Sequence, residues 1–237
     1  MIKFFFVSTF ILGLNLWAQN DTLVVAVEMD DVVKVRKIIN SGQASVDEKI
    51  DNDEPIILIA ARSGSEKVTQ YLISKKVNVN AQNSHRETAL MMAVFFGDSQ
   101  QDSTHFKHDL IAKYLVEAGA QLENDLWWTP LAYAAFANRI EMVEYLLMKG
   151  AFIDGPLLDD ITPVKTPLMM AAMQGNDKIV HYLLVQGANA KIKNEKGATA
   201  YSLAEKYNNK NLLKYLHCAM NLSPGEKYKD RCESNLN

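Results

Sequence analysis

Only two cysteines, Cys218 and Cys232, occur in 237 residues. That is too few for a disulfide scaffold, so the fold must rest on a buried apolar core. Proline and glycine are also sparse, at six and eleven. Neither sign of charge dominates: 25 basic against 28 acidic residues leave a net charge of −3. A nucleic-acid partner would favour a basic face, and there is no basic surplus to make one. No apolar run reaches the roughly 20 residues that a membrane-spanning helix needs. The chain has no His-Glu-x-x-His, no Gly-x-Ser-x-Gly elbow and no Gly-rich phosphate loop. What is left is a globular chain, 48% hydrophobic and 22% charged, of a length for one or two ordinary domains.

The N-terminus stands apart. Lys3 precedes an apolar run from Phe4 to Trp17, and Ala18 offers a cleavage position before polar Gln19-Asn20-Asp21. This reads as a secretory signal peptide over 1–18, with an uncleaved anchor as the alternative because Leu16 suits the −3 position poorly. The expected location is the periplasm or outside the cell, with no membrane span once the leader is removed.

The body of the chain repeats. Thr129-Pro130-Leu131-Ala132-Tyr133-Ala134-Ala135 matches Thr166-Pro167-Leu168-Met169-Met170-Ala171-Ala172. Thr88-Ala89-Leu90, Thr199-Ala200-Tyr201 and Pro55-Ile56-Ile57 open looser copies, and Leu23-Val24-Val25-Ala26 opens another. A second block follows, as in Val68-x-x-Tyr71-Leu72 and Ile111-x-x-Tyr114-Leu115, and Gly-Ala closes three copies at 119, 150 and 187. Each element has a physical reason. Thr caps a first turn, Pro suits the first helical position, paired Ala lets helices approach, and Gly permits left-handed backbone at a helix end. The spacing from Pro55 to Thr88 is 33, as is that from Thr166 to Thr199.

In this period and motif the sequence resembles the ankyrin-repeat family, whose signature includes Thr-Pro-Leu-His-x-Ala. The resemblance implies an all-α solenoid of about six helix-turn-helix units with short β-hairpin fingers. The expected units are 20–49, 50–82, 83–123, 124–154, 155–193 and 194–217, together 19–217, with a tail over 218–237. One helix pair cannot bury its face alone, so the units must stack.

Three departures from the pattern mark candidate contacts. Gly64 precedes Leu72 by eight residues, but Gly97 precedes Leu115 by eighteen. An insertion at 98–108 therefore lengthens one turn and carries His105 and Phe106. It is either a contact loop or a tolerated surface loop. The connection from Gly150 to Thr166 is four residues longer than that from Gly187 to Thr199, giving an acidic finger with Asp159 and Asp160. Finally, Trp127 stands where the family has Gly, and Trp128 precedes the Thr129 cap. Of the two, Trp127 is expected to pack and Trp128 to be exposed.

The family resemblance implies that partners are held by finger tips and by the variable end of each inner helix. Phe95, Phe96, Phe136, Met173 and Tyr207 occupy such ends. With Trp128 they form the candidate protein-binding face, since aromatic residues are enriched at interface hot spots. Met92, Tyr133 and Met170 sit where the family buries its side chains.

His105 and His108 near Asp98, Asp102 and Asp109 are the nearest thing to a metal-ligand cluster, and a polar loop gathers such residues anyway. No cofactor is expected and no catalysis. Cys218 and Cys232, fourteen apart, would bridge and pin the tail in an oxidising compartment, or remain separate thiols. The reading is an exported monomeric module that binds a protein. It would serve as an inhibitor or immunity protein against an envelope-acting enzyme, with a non-inhibitory scaffold or stress-protection factor as the alternative. A metal-dependent activity at 98–108 is a remote third reading.

Overall fold

The computed structural model describes residues 22–50, 53–97, 105–123, 128–156 and 165–233. The expected leader over 1–18 with its proposed Ala18 junction, Trp127, Asp159 and Asp160 lie outside the described residues.

The chain builds helix pairs, each a short inner helix followed by an outer one. In order they are α1 (22–28) and α2 (Val32–Asn40), α3 (Ile56–Arg62) and α4 (Glu66–Ser74), and α5 (Ala89–Phe96) and α6 (His105–Glu117). Then follow α7 (Pro130–Phe136) and α8 (Ile140–Met148), α9 (Pro167–Gln174) and α10 (Asp177–Val185), and α11 (Ala200–Lys206) and α12 (Lys210–Met220). A two-stranded hairpin, β1 (Lys49–Ile50) and β2 (Glu54–Pro55), precedes α3, with Lys49 opposite Pro55. A single antiparallel bridge, Gln82 to Thr88, precedes α5. Among the described residues the other connections are turns.

These elements fall into two compact units, one through Ala120 and one from Gln121 onward. In the first, α3 packs on α5, and the outer helices α2, α4 and α6 line up beside one another. In the second, α7, α9 and α11 form the inner row, with α8, α10 and α12 outside it.

Local chemistry explains each element. The hydroxyls of Thr88, Thr129, Thr166 and Thr199 accept from the N–H of Met91, Ala132, Met169 and Ser202 at 3.1–3.4 Å. Each such cap contributes about 1 kcal/mol. Pro130 and Pro167 fill the first helical position, where no N–H is missed. The alanine pairs Ala60-Ala61, Ala134-Ala135 and Ala171-Ala172 are fully buried, so the inner helices can lie close together. Outer helices bury one stripe only, such as Ile179, Val180, Leu183 and Leu184 on α10.

Within a pair, the turn needs one left-handed residue. Asp30, Gly64, Asn138, Gly175 and Asn208 supply it, with φ between 53° and 77°. Gly97 does not: its φ is −70° and ψ 113°, so the chain leaves α5 extended and runs into the insertion. The insertion is also shorter as a loop than its sequence suggests. Residues 105–108 are not loop but the first turn of a thirteen-residue α6, against nine residues in α4.

The C-terminus departs from expectation too. The last helix continues past Leu216 to Met220, because Leu212, Leu216 and Ala219 extend one buried stripe. Cys218 therefore lies inside α12. Beyond it the chain folds back, ending in a π-helical turn at Lys229–Glu233, with Tyr228 and Cys232 buried. Cys218 and Cys232 form a disulfide, their Cα atoms 6.0 Å apart. Among the described residues no helix is long and apolar enough to cross a membrane.

Candidate protein-binding surface

The positions of the inner-helix ends depend on how each pair is fixed to the one before. One register position, seven residues before the buried leucine of α4, α6, α10 and α12, makes this bond. Ser65 Oγ donates to the Glu28 carbonyl at 3.4 Å. Asn176 Nδ2 donates to the carbonyls of Ala135 (2.7 Å) and Phe136 (3.2 Å). Asn209 Nδ2 donates to those of Ala172 (2.9 Å) and Met173 (3.0 Å). In α6 the position belongs to His108, whose Nε2 lies 2.9 Å from the Arg62 carbonyl oxygen. A carbonyl only accepts, so Nε2 carries the proton. Each bond ties down the last carbonyls of an inner helix, next to the residues proposed to meet a partner.

This placement removes His108 from the suspected metal cluster. The ring is buried inside the first unit. Among the described residues no three His, Cys, Asp or Glu side chains converge to hold a metal ion. His105 and Phe106 sit on the first turn of α6, and their side chains lie outside the described set.

The candidate aromatic residues divide between the two units. In the first, Phe95 is half-buried and Phe96 is 44% exposed, their rings edge to face at 5.1 Å. In the second, Trp128 is half-buried between two rings, Tyr133 at 4.8 Å and Phe136 at 5.4 Å. The Lys165 ammonium lies 4.9 Å from the Trp128 ring centre. Trp128 is thus less exposed than its finger position suggests. Tyr133 is not core either: unlike buried Met92 and Met170, it is half-buried and forms part of this shelf. Met173 is half-buried at the end of α9, and Tyr207 is 50% exposed at the end of α11.

The fingers are joined by carboxylates. Asp47 accepts from the Asn78 N–H at 2.8 Å, Glu123 from the Phe152 N–H at 2.7 Å, and Asp154 from the Asn189 N–H at 2.9 Å. Burial raises the Asp154 pKa and pushes Glu123 up to about 7, against the opposing effect of those N–H donors. The second oxygen of Glu123 has no hydrogen-bond partner among the described residues. Phe152 projects from its finger 60% exposed.

Three copies of the ankyrin-repeat pattern match the chain, over 23–106, 102–156 and 157–227. The chain belongs to the ankyrin-repeat family. Among solved structures, this ankyrin-repeat chain is similar to one in the complex of the Bd0816 predatory endopeptidase from Bdellovibrio bacteriovorus with immunity protein Bd3460. The identity is 28% and the TM-score 0.66, over 83% of this chain and 96% of that one. Curated relatives include the NAD-capped RNA hydrolase NUDT12 of Homo sapiens and of Macaca fascicularis, 31% identical over 67 residues. The chain spans about 14% of the length of those relatives.

Sequence reasoning missed Phe152 and Lys165. Phe152 follows the Gly150-Ala151 closure, at a finger position where a large apolar residue was itself a signal. Lys165 is one of many lysines, and only its place over the Trp128 ring distinguishes it.

Proposed function

We propose that this ankyrin-repeat protein is exported and holds a single protein partner on its inner-helix ends and fingers, restraining an envelope-acting hydrolase as an immunity protein does. The observation that carries this reading is the likeness to a chain of the Bd0816–Bd3460 complex, which extends over 96% of that chain. A likeness of that extent spans the ankyrin array rather than one shared repeat. The aromatic shelf supports it. Trp128, Tyr133 and Phe136 are amphipathic or apolar rings already ordered by mutual contact, so little side-chain entropy is lost on docking. Repeat surfaces of this kind bind by shape and do not shield a reaction from water.

The test is capture from an envelope extract, followed by titration and inhibition assays with the recovered hydrolase. The expected result is binding in the nanomolar range with loss of hydrolase activity. Tight binding without inhibition makes the protein a scaffold and overturns the inhibitory role. Unchanged capture by a Phe96→Ala/Trp128→Ala variant overturns the choice of face.

A further inference from the structure

The C-terminal strap, residues 221–233, lies on the opposite row of helices from the inner-helix face. Much of its bonding is internal: the Ser223 N–H donates to the Glu226 carboxylate at 2.7 Å, and Arg231 pairs with the same carboxylate. Beyond the bonds that Asn221 and Leu222 make to the end of α12, several features tie the strap to the ankyrin array. Lys191 Nζ donates to the Leu222 carbonyl at 2.8 Å. The Tyr228 ring stands edge-on to His181 of α10, 5.9 Å between centres. A covalent bond joins buried Cys232 to Cys218 in α12.

Of the strap's described side chains only Tyr228 and Cys232 are buried. The strap runs between two open grooves. One, of about 580 Å³, is lined by Asp177, His181, Tyr215 and Lys229. The other, of about 510 Å³, is lined by Leu184, Ala188, Leu222 and Tyr228. Val185, Gln186 and Lys229 border both. Ordering some dozen backbone residues against two buried side chains is a poor exchange unless a covalent tie shrinks the freedom of the released state.

We propose that the Cys218–Cys232 disulfide is a reducible latch, holding the strap on α10 and α12 when oxidised and freeing it, so that the two grooves become one open face, when reduced. The reductant is a dithiol. One thiolate attacks Sγ of Cys218, which is the more exposed partner, and forms a mixed disulfide. The electron pair of the broken S–S bond leaves on Cys232 Sγ, which takes up a proton. The second thiolate then attacks the reductant's own sulfur in the mixed disulfide. Cys218 leaves as a thiolate and is protonated, and the dithiol becomes a disulfide. The ankyrin core does not depend on the bond, because its helices are joined by apolar packing and by the register bonds of Asn176 and Asn209.

Hydrogen exchange read by mass spectrometry tests this on the full chain, oxidised and after dithiothreitol without denaturant. A Cys218→Ser/Cys232→Ser variant supplies a second reduced-like form. Amides at 223–233 should lose about 100-fold in protection, the effect of opening a loop of this length, while those of α7 and α9 keep theirs. Unchanged protection of the strap in both reduced forms would overturn the latch. So would a disulfide that yields to dithiothreitol only when the ankyrin repeats themselves unfold, or collapse of α7 and α9 in the variant. None of these outcomes bears on the aromatic shelf, so the latch and the proposed partner role stand or fall separately.

Discussion

His108 Nε2 lies 2.9 Å from the carbonyl oxygen of Arg62, 46 positions earlier in the chain. The ring also lies against Gly64, where an added Cβ would meet His108 Cε1 at 2.8 Å. One imidazole thus replaces the asparagine used at 176 and 209, and it keeps α6 in register although α6 begins a turn early. His108→Ala should cost about 1–3 kcal/mol, because the part-buried Arg62 carbonyl loses its donor. His108→Asn should recover part of the loss, since that side chain makes the equivalent bond elsewhere. Urea denaturation of the three proteins checks this. Equal stability of the alanine and asparagine variants would remove the register bond as the explanation.

The same position shows how much of this protein was legible in its sequence. The repeat, the threonine caps and the helix pairs follow from motifs that act locally, within a turn or two of chain. The cross-repeat bond was not legible, because its donor varies: Ser65, His108, Asn176 and Asn209 share a place and not a residue type. His108 looked like a metal donor in a loop because nothing local shows that residues 105–108 are helical. Trp128 and Phe96 were placed at the partner face by repeat phase alone. The contacts of Trp128 with Tyr133, Phe136 and Lys165 depend on side-chain packing that repeat phase does not dictate. The fold-back of the strap depends on a covalent bond between residues fourteen apart, and two cysteines in a polar tail announce only that they can meet.

Gly175 has φ +77°, and a Cβ there would meet Asn209 Oδ1 at 2.7 Å. Gly175→Ala therefore strains the backbone and pushes on the amide that bonds Ala172 and Met173. A loss above about 1 kcal/mol is expected. Gly150 is also left-handed, but no atom lies within 4 Å of its added Cβ. Gly150→Ala should thus cost less than Gly175→Ala. Thermal melts of the pair decide it, and an equal cost would mean that backbone strain alone sets the effect.

Glu123 gives the finger a pH dependence of definite sign. Burial raises its pKa from 4.5 to about 7, so the folded state holds a proton that the unfolded chain releases. Stability from this group is present below about 4.5 and is lost as pH rises through about 7. Glu123→Gln keeps an acceptor for the Phe152 N–H and cannot ionise. The variant should melt with the parent at pH 4 and above it at pH 8. A melting difference that does not change with pH would show that Glu123 is not the titrating group.

Trp128 carries the sharpest test of the binding face. Its ring is in contact with Tyr133 and Phe136 and lies under the Lys165 ammonium, so removing it affects two things at once. Lost aromatic pairing should lower stability by about 1–3 kcal/mol. If the shelf is also a hot spot, partner affinity should fall by about 2 kcal/mol, near 30-fold. Trp128→Phe separates the effects, because a smaller ring keeps part of the packing while giving up contact area. Lys165→Gln removes only the cation and should cost about 0.5–1 kcal/mol of stability. Calorimetric titration against the captured partner, beside denaturation of each variant, gives both quantities. Affinity that tracks stability alone across the three variants would make the shelf a packing feature. Loss of affinity in a variant that remains fully folded would make it the surface that the partner meets.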